Sequence, residues 1–130
     1  MKKRVTGLGG VFFKSHDPEA IKKWYQNHLG IESGEHGALF HWRHSDDPEK
    51  EGATAWSPFP EDTDYYNPSK KDFMFNYRVE NLVELLEVLK DEGVEVVGEI
   101  EEYSYGKFAW IMDPDGNKVE LWEPMDENTL

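Results

Sequence analysis

The sequence predicts an α+β fold of two βαβββ modules in one domain. Three observations carry this. Strand-like runs and capped helical stretches occur in the order strand, helix, three strands, and the same order begins again at Phe73. A shift of 64 positions places Gly10 on Met74, Asp17 on Asn81, Trp56 on Glu120 and Pro60 on Pro124. At 130 residues and 38% hydrophobic the chain holds one core, and neither half alone buries its sheet well. The modules span residues 5–60 and 72–124, joined by a connector at 60–72.

In the first module, Thr6–Lys14 (TGLGGVFFK) reads as a strand of aromatic and branched residues. Asp17-Pro18 then starts a helix, with Asp as the cap and Pro at the first helical position. Ile21, Trp24, Tyr25 and His28 or Leu29 recur at helical spacing, and Gly30 stops the run. Short strands follow around Ile31–Glu35 and Ala38–Arg43. His44–Gly52 reads as a charged loop, and Thr54–Phe59 as another strand, with Pro58 marking its end. Pro60–Asp72 carries Pro, Asp, Lys and the pair Tyr65-Tyr66. A loop this long joins modules or covers a site.

In the second module, Phe73–Val79 reads as a strand. Asn81 and Glu84 match a helix cap with an acidic residue three positions on. Leu82, Leu85, Leu86 and Leu89 form one apolar stripe, and Gly93 closes the helix. Val94–Ile100, Lys107–Met112 and Lys118–Trp122 read as strands. Asp113-Pro114-Asp115-Gly116-Asn117 is the turn before the last of these. On that last strand Lys118, Glu120 and Trp122 share a face and Val119 and Leu121 the other. Glu120 is thus either solvated or aimed into a cavity.

The charge balance, 14 basic against 27 acidic residues, gives a formal net charge of −13. This argues against nucleic acid and anionic membrane surfaces as partners. The absence of cysteine excludes disulfides, thiolate metal sites and cysteine nucleophiles, and fits a cytoplasmic location. Met1–Arg4 ahead of Val5–Phe13 imitates a signal peptide, but three glycines interrupt the apolar part and a first strand is the better reading. No stretch is long enough to span a membrane as a helix. The serines lack a Gly-x-Ser-x-Gly setting, and Gly7-Leu8-Gly9-Gly10 lacks phosphate-loop spacing.

The double βαβββ order, Asp113–Pro124 (DPDGNKVELWEP), Phe73–Val79 leading into Asn81, and Trp24-Tyr25 with Leu29-Gly30-Ile31 resemble the vicinal oxygen chelate superfamily. That group contains glyoxalases, extradiol dioxygenases and bleomycin-resistance proteins. The resemblance covers Thr6 to Pro124. It implies paired, curved mixed sheets around a cavity, and a homodimer. In its metal-dependent members the resemblance implies His ligands from the first strands of the modules and a Glu from the final strand. Glu120 takes the Glu position. The His positions fall on Gly10 and Met74, and an optional carboxylate position on Trp56. One carboxylate does not make a catalytic divalent site, which needs about three protein ligands. No cofactor is therefore expected. A divalent metal is disfavoured; if bound, it would be held by Glu120 and His41.

If Glu120 faces inward, the site gathers Phe12, His41, Trp56, Met74, Asn76, Arg78, Glu120 and Trp122. This lining suits a flat or hydrophobic organic ligand oriented by a few hydrogen bonds. Each residue also has a plainer role. Trp56, Trp122, Phe12 and Met74 fill a core, Glu120 and Arg78 form an ion pair, Trp42 and Trp110 are structural, and Tyr65-Tyr66 are loop packing or a lid. Tyr103–Gly106 is either a strand turn or a pocket mouth. The expected function is metal-free binding of a small aromatic or hydrophobic molecule. The alternative is a metal-dependent lyase or dioxygenase with an unconventional ligand set. Catalysis by Glu120 as a lone acid or base, and an accessory role without pocket chemistry, stay open.

Overall fold

The structure is a computed structural model and describes residues 4–125. The basic Met1–Lys3 of the leader-like start lies outside the described residues. The elements are β1 (Val5–Ser15), α1 (Pro18–Leu29), β2 (Ala38–His44), β3 (Asp47–Pro60), β4 (Phe73–Val79), α2 (Leu82–Asp91), β5 (Glu95–Val96), β6 (Glu101–Tyr103), β7 (Gly106–Met112) and β8 (Lys118–Pro124). They form one mixed, curved and unclosed sheet in the order β2-β3-β1-β4-β8-β7-β5, with β6 also on β7. Each module pairs its first and last strands in parallel, β1 with β3 and β4 with β8. The modules join antiparallel through β1 and β4. There Val11 lies opposite Phe75, its own counterpart under the 64-residue shift, so the antiparallel join is centred on an equivalent pair.

Local chemistry accounts for both helices. Asp17 Oδ1 accepts the Ala20 amide at 3.1 Å, Pro18 opens α1, and Gly30 closes it at φ 72°. The cap of α2 differs from expectation. Asn81 is left-handed at φ 52° and makes no side-chain cap bond. An N-cap side chain reaches the first turn from an extended backbone, which Asn81 lacks. Glu123 of β8 serves instead, its Oε1 accepting the Leu82 amide at 2.8 Å. The leucine stripe holds: Leu82, Leu85 and Leu86 are buried with Val79, Ala109 and Leu121.

Three other expectations are corrected. Residues 31–35 form no strand, only a turn with a Gly34–Gly37 bridge, so the first module has three strands. The charged stretch after His44 is no loop. It turns at Ser45-Asp46 and returns as β3, because a hairpin lets its charged side chains stay in water while the backbone pairs. Val94–Ile100 holds only the two-residue β5, since Gly98 at φ 72° breaks the strand before β6. No described helix is long and apolar enough to cross a membrane.

Candidate functional site

The site follows from one lateral row across the sheet. Gly10 of β1 lies opposite Asn76 of β4, Asn76 opposite Glu120 of β8, and Glu120 opposite Trp110 of β7. Residues paired in this way point to the same side. Asn76 and Trp110 therefore flank Glu120 and reach it. Asn76 Nδ2 donates to Glu120 Oε1 at 2.6 Å, and Trp110 Nε1 donates to Oε2 at 2.9 Å. The third donor is the Tyr65 phenol, brought over Oε2 by the connector. Glu120 is only 3% exposed. A buried carboxylate is stable only where such donors replace water, and here three of them converge.

Tyr65 is held from several sides. Lys118 Nζ donates to its carbonyl oxygen at 2.8 Å and lies 5.5 Å from its ring centre. Phe59 stacks on it at 5.8 Å, and Trp110 meets it edge-on at 6.3 Å. Burial, and then the charge of Glu120, push the Tyr65 phenol well above its ordinary value. The same two causes raise Tyr66. Burial lowers the Lys118 ammonium, against which Glu120, Asp64 and Glu101 pull upward.

Glycines make this arrangement possible. A Cβ on Gly9 would overlap Asn76 Oδ1, and one on Gly10 would come within 2.8 Å of the Phe12 ring and 3.3 Å of Asn76 Cβ. β1 shifts register against β4 between Leu8 and Gly10, which turns both glycines toward Asn76.

Beside this row the interior is filled. Tyr66, Met74 and Trp110 are buried together, with Phe12 and Phe59 packed on them. The open space next to the Glu120 row lies beyond Tyr65 and Trp110. One cleft of about 320 Å³ is lined by Asp64, Tyr65, Glu99, Glu101, Trp110 and Lys118, with the backbone turn at Val97-Gly98. A second, of about 380 Å³, is lined by Tyr65, Glu101, Tyr103, Tyr105, Phe108 and Trp110. Tyr103–Gly106 is the turn between β6 and β7, and its Tyr103 and Tyr105 wall the second cleft.

The sequence-derived residues divide as follows. Phe12, Met74, Asn76, Arg78, Glu120 and Trp122 lie on the side expected. Arg78 is fully buried between two indoles, 5.4 Å from the Trp42 ring and 5.1 Å from that of Trp122. The envisaged Glu120–Arg78 ion pair is not formed, because Glu120 is occupied by its three donors and Arg78 is two residues further along β4 than Asn76. Trp56 is misplaced by the sequence reading. Its register partner is Val11 rather than Phe12, and it packs on Phe13 and on Tyr25 of α1. One residue of register exchanges the faces. His41 is exposed on β2, where the neighbouring Trp42 takes the inward direction instead, so His41 does not approach Glu120.

Three contributors carried a weaker sequence signal. Trp110 was recoverable, because a hairpin closed at Asp113–Asn117 sets it opposite Glu120. Tyr65 and Lys118 meet only through the connector, and nothing local announces that.

A divalent metal does not fit this donor set. Gly10 offers no side chain, Met74 is buried in an apolar cluster, Trp56 points to α1, and both oxygens of Glu120 already accept N–H or O–H groups. Among the described residues, no group of three or more His, Cys, Asp or Glu side chains is placed to hold a metal ion.

No curated protein matches the chain. Its fold is similar to methylmalonyl-CoA epimerase from Mycobacterium tuberculosis, at TM-score 0.66 and 22% identity over 98% of this chain and 94% of that one. A variant of Streptomyces coelicolor methylmalonyl-CoA epimerase, solved with 2-nitronate-propionyl-CoA, gives TM-score 0.68 and 18% identity over 93% and 99%. A glyoxalase/bleomycin resistance protein/dioxygenase superfamily member from Vibrio splendidus 12B01 gives 0.58 and 13% over 89% and 98%. At these identities the likeness shows the fold alone. The sequence model of the Glyoxalase/Bleomycin resistance protein/Dioxygenase superfamily matches residues 11–121, which include Asn76, Trp110 and Glu120. By that match, which spans most of the chain, the chain belongs to the glyoxalase/bleomycin resistance protein/dioxygenase superfamily.

Proposed function

We propose that this protein binds a small aromatic or hydrophobic organic molecule without a metal, in the clefts walled by Tyr65 and Trp110. One observation carries the reading. The only acid at a superfamily ligand position, Glu120, is consumed in holding those two rings in place. Its role is then architectural: it fixes a rigid aromatic wall, and the ligand lies on the wall's outer side. Clefts of about 320 and 380 Å³ suit a small molecule at the lower end of ligand-site sizes.

The test uses the neutral fluorescent probe N-phenyl-1-naphthylamine with protein treated with a chelator. The reading expects saturable binding at one site, weakened in Tyr105→Leu and unchanged by added Zn²⁺ or Mn²⁺. Absence of saturable binding, or binding that requires the metal, overturns it.

The homodimer belongs to the same proposal. Phe40, Phe73 and Phe75 are exposed apolar side chains on one face of the sheet, more than isolated surface residues require. Sedimentation equilibrium giving twice the chain mass supports it; the chain mass alone removes it.

A further inference from the structure

We propose that the occupant of the larger cleft is a small organic cation of the methylated or alkylated ammonium class. This rests on the preceding reading of the cleft as a binding site and names its ligand. The cleft is lined by five aromatic residues and one acid, with no basic side chain among them: Tyr65, Tyr103, Tyr105, Phe108, Trp110 and Glu101. Tyr103 and Tyr105 stack at 5.4 Å, and Phe108 meets them edge-on at 6.0 and 5.6 Å. This packing sets rings at different angles around one space. Aromatic faces carry negative quadrupole potential, and several of them around one space are the chemistry that selects quaternary ammonium groups.

The acid sharpens the preference. Glu101 belongs to both clefts, and Asp64 and Glu99 line the adjoining one. An anionic ligand would meet these carboxylates, on a chain whose formal net charge is −13. The wall already carries one ammonium: Lys118 Nζ lies 5.5 Å from the centre of Tyr65 and 5.6 Å from that of Trp110. The protein's own cation thus engages the two rings that both clefts share, while among the described residues no cation lies over Tyr103, Tyr105 or Phe108 on the other side of the larger one. Glu101 accepts a hydrogen bond from the Tyr103 hydroxyl, which holds its carboxylate beside the rings, where a cation gains from its charge and a neutral flat ligand does not.

The experiment compares choline with its uncharged isostere 3,3-dimethylbutan-1-ol, followed through the indole and phenol proton signals of the full chain. The expected result is that choline binds roughly tenfold more tightly than the alcohol. The preference shrinks in Glu101→Gln and in 0.5 M NaCl, and both ligands weaken in Tyr105→Leu. Tyr105 is 52% exposed, so that variant keeps its fold. If choline binds no more tightly than the alcohol, the cation assignment fails, and saturable N-phenyl-1-naphthylamine binding then leaves the small-molecule reading standing. If neither choline, the alcohol nor the naphthylamine binds, both fail together. A choline preference that survives Glu101→Gln and salt unchanged overturns the assignment of this cleft.

Discussion

The phenol of Tyr65 donates its hydrogen bond to the carboxylate of Glu120, 55 positions away, and so fastens the connector between the modules onto the last strand. Next to it stands a contrasting residue. Tyr66 is fully buried, yet its hydroxyl has no partner among the described residues.

Paired phenylalanine substitutions therefore separate two adjacent tyrosines. Tyr65→Phe removes a donor from a buried carboxylate and should cost about 2 kcal/mol in urea unfolding. Tyr66→Phe removes only an unpartnered hydroxyl and should be neutral or slightly stabilising. Equal losses in the two variants contradict the hydrogen-bond assignment.

Glu120→Gln tests the convergence of donors. The amide keeps one acceptor oxygen and turns an NH₂ group toward Tyr65, Asn76 or Trp110. At least one buried donor then loses its acceptor, and the loss should be about 3 kcal/mol. Thermal unfolding followed by near-ultraviolet circular dichroism also reports the Trp110 environment, which should change in the folded state.

Gly9→Ala should destabilise by about 1–3 kcal/mol, since the new methyl overlaps Asn76 Oδ1 and lies 3.1 Å from Arg78 Cγ. The cause is lateral crowding. Combining it with Asn76→Ser should recover much of the loss, a coupling read from a double-mutant cycle of urea midpoints.

Alkaline pH gives a signed prediction. The folded-state values of Tyr65 and Tyr66 are raised, first by burial and then by the charge of Glu120. In the unfolded chain these phenols ionise near their ordinary value of about 10. Their contribution is complete below that value and falls as pH rises above it, because the unfolded chain loses those protons first. Urea midpoints should drop above about pH 10, and less steeply in Tyr65→Phe. Absorbance near 295 nm should show these two phenols ionising only with unfolding.

Lys118→Met should loosen the connector without unfolding the sheet. It removes the 2.8 Å bond to the Tyr65 carbonyl and the ammonium over two rings. Amide exchange across residues 61–72 should quicken, while β4 and β8 keep their protection.

Period-two alternation was enough to put Lys118, Glu120 and Trp122 on one side of β8, and Met74, Asn76 and Arg78 on one side of β4. The 64-residue repeat told which strands are equivalent, and Asp17-Pro18 and Gly30 bounded α1. These features are local or periodic, so the order of side chains already contains them.

What tertiary structure alone decided was register and long-range closure. A single-residue offset against β1 sends Trp56 to α1, exposure sends His41 to the surface, and a glycine-lined shift in β1 makes room for Asn76. The connector then closes over Glu120 with Tyr65 and moves the open space outside the aromatic row. Such outcomes depend on packing between residues far apart in the chain, and a local pattern carries no term for that distance.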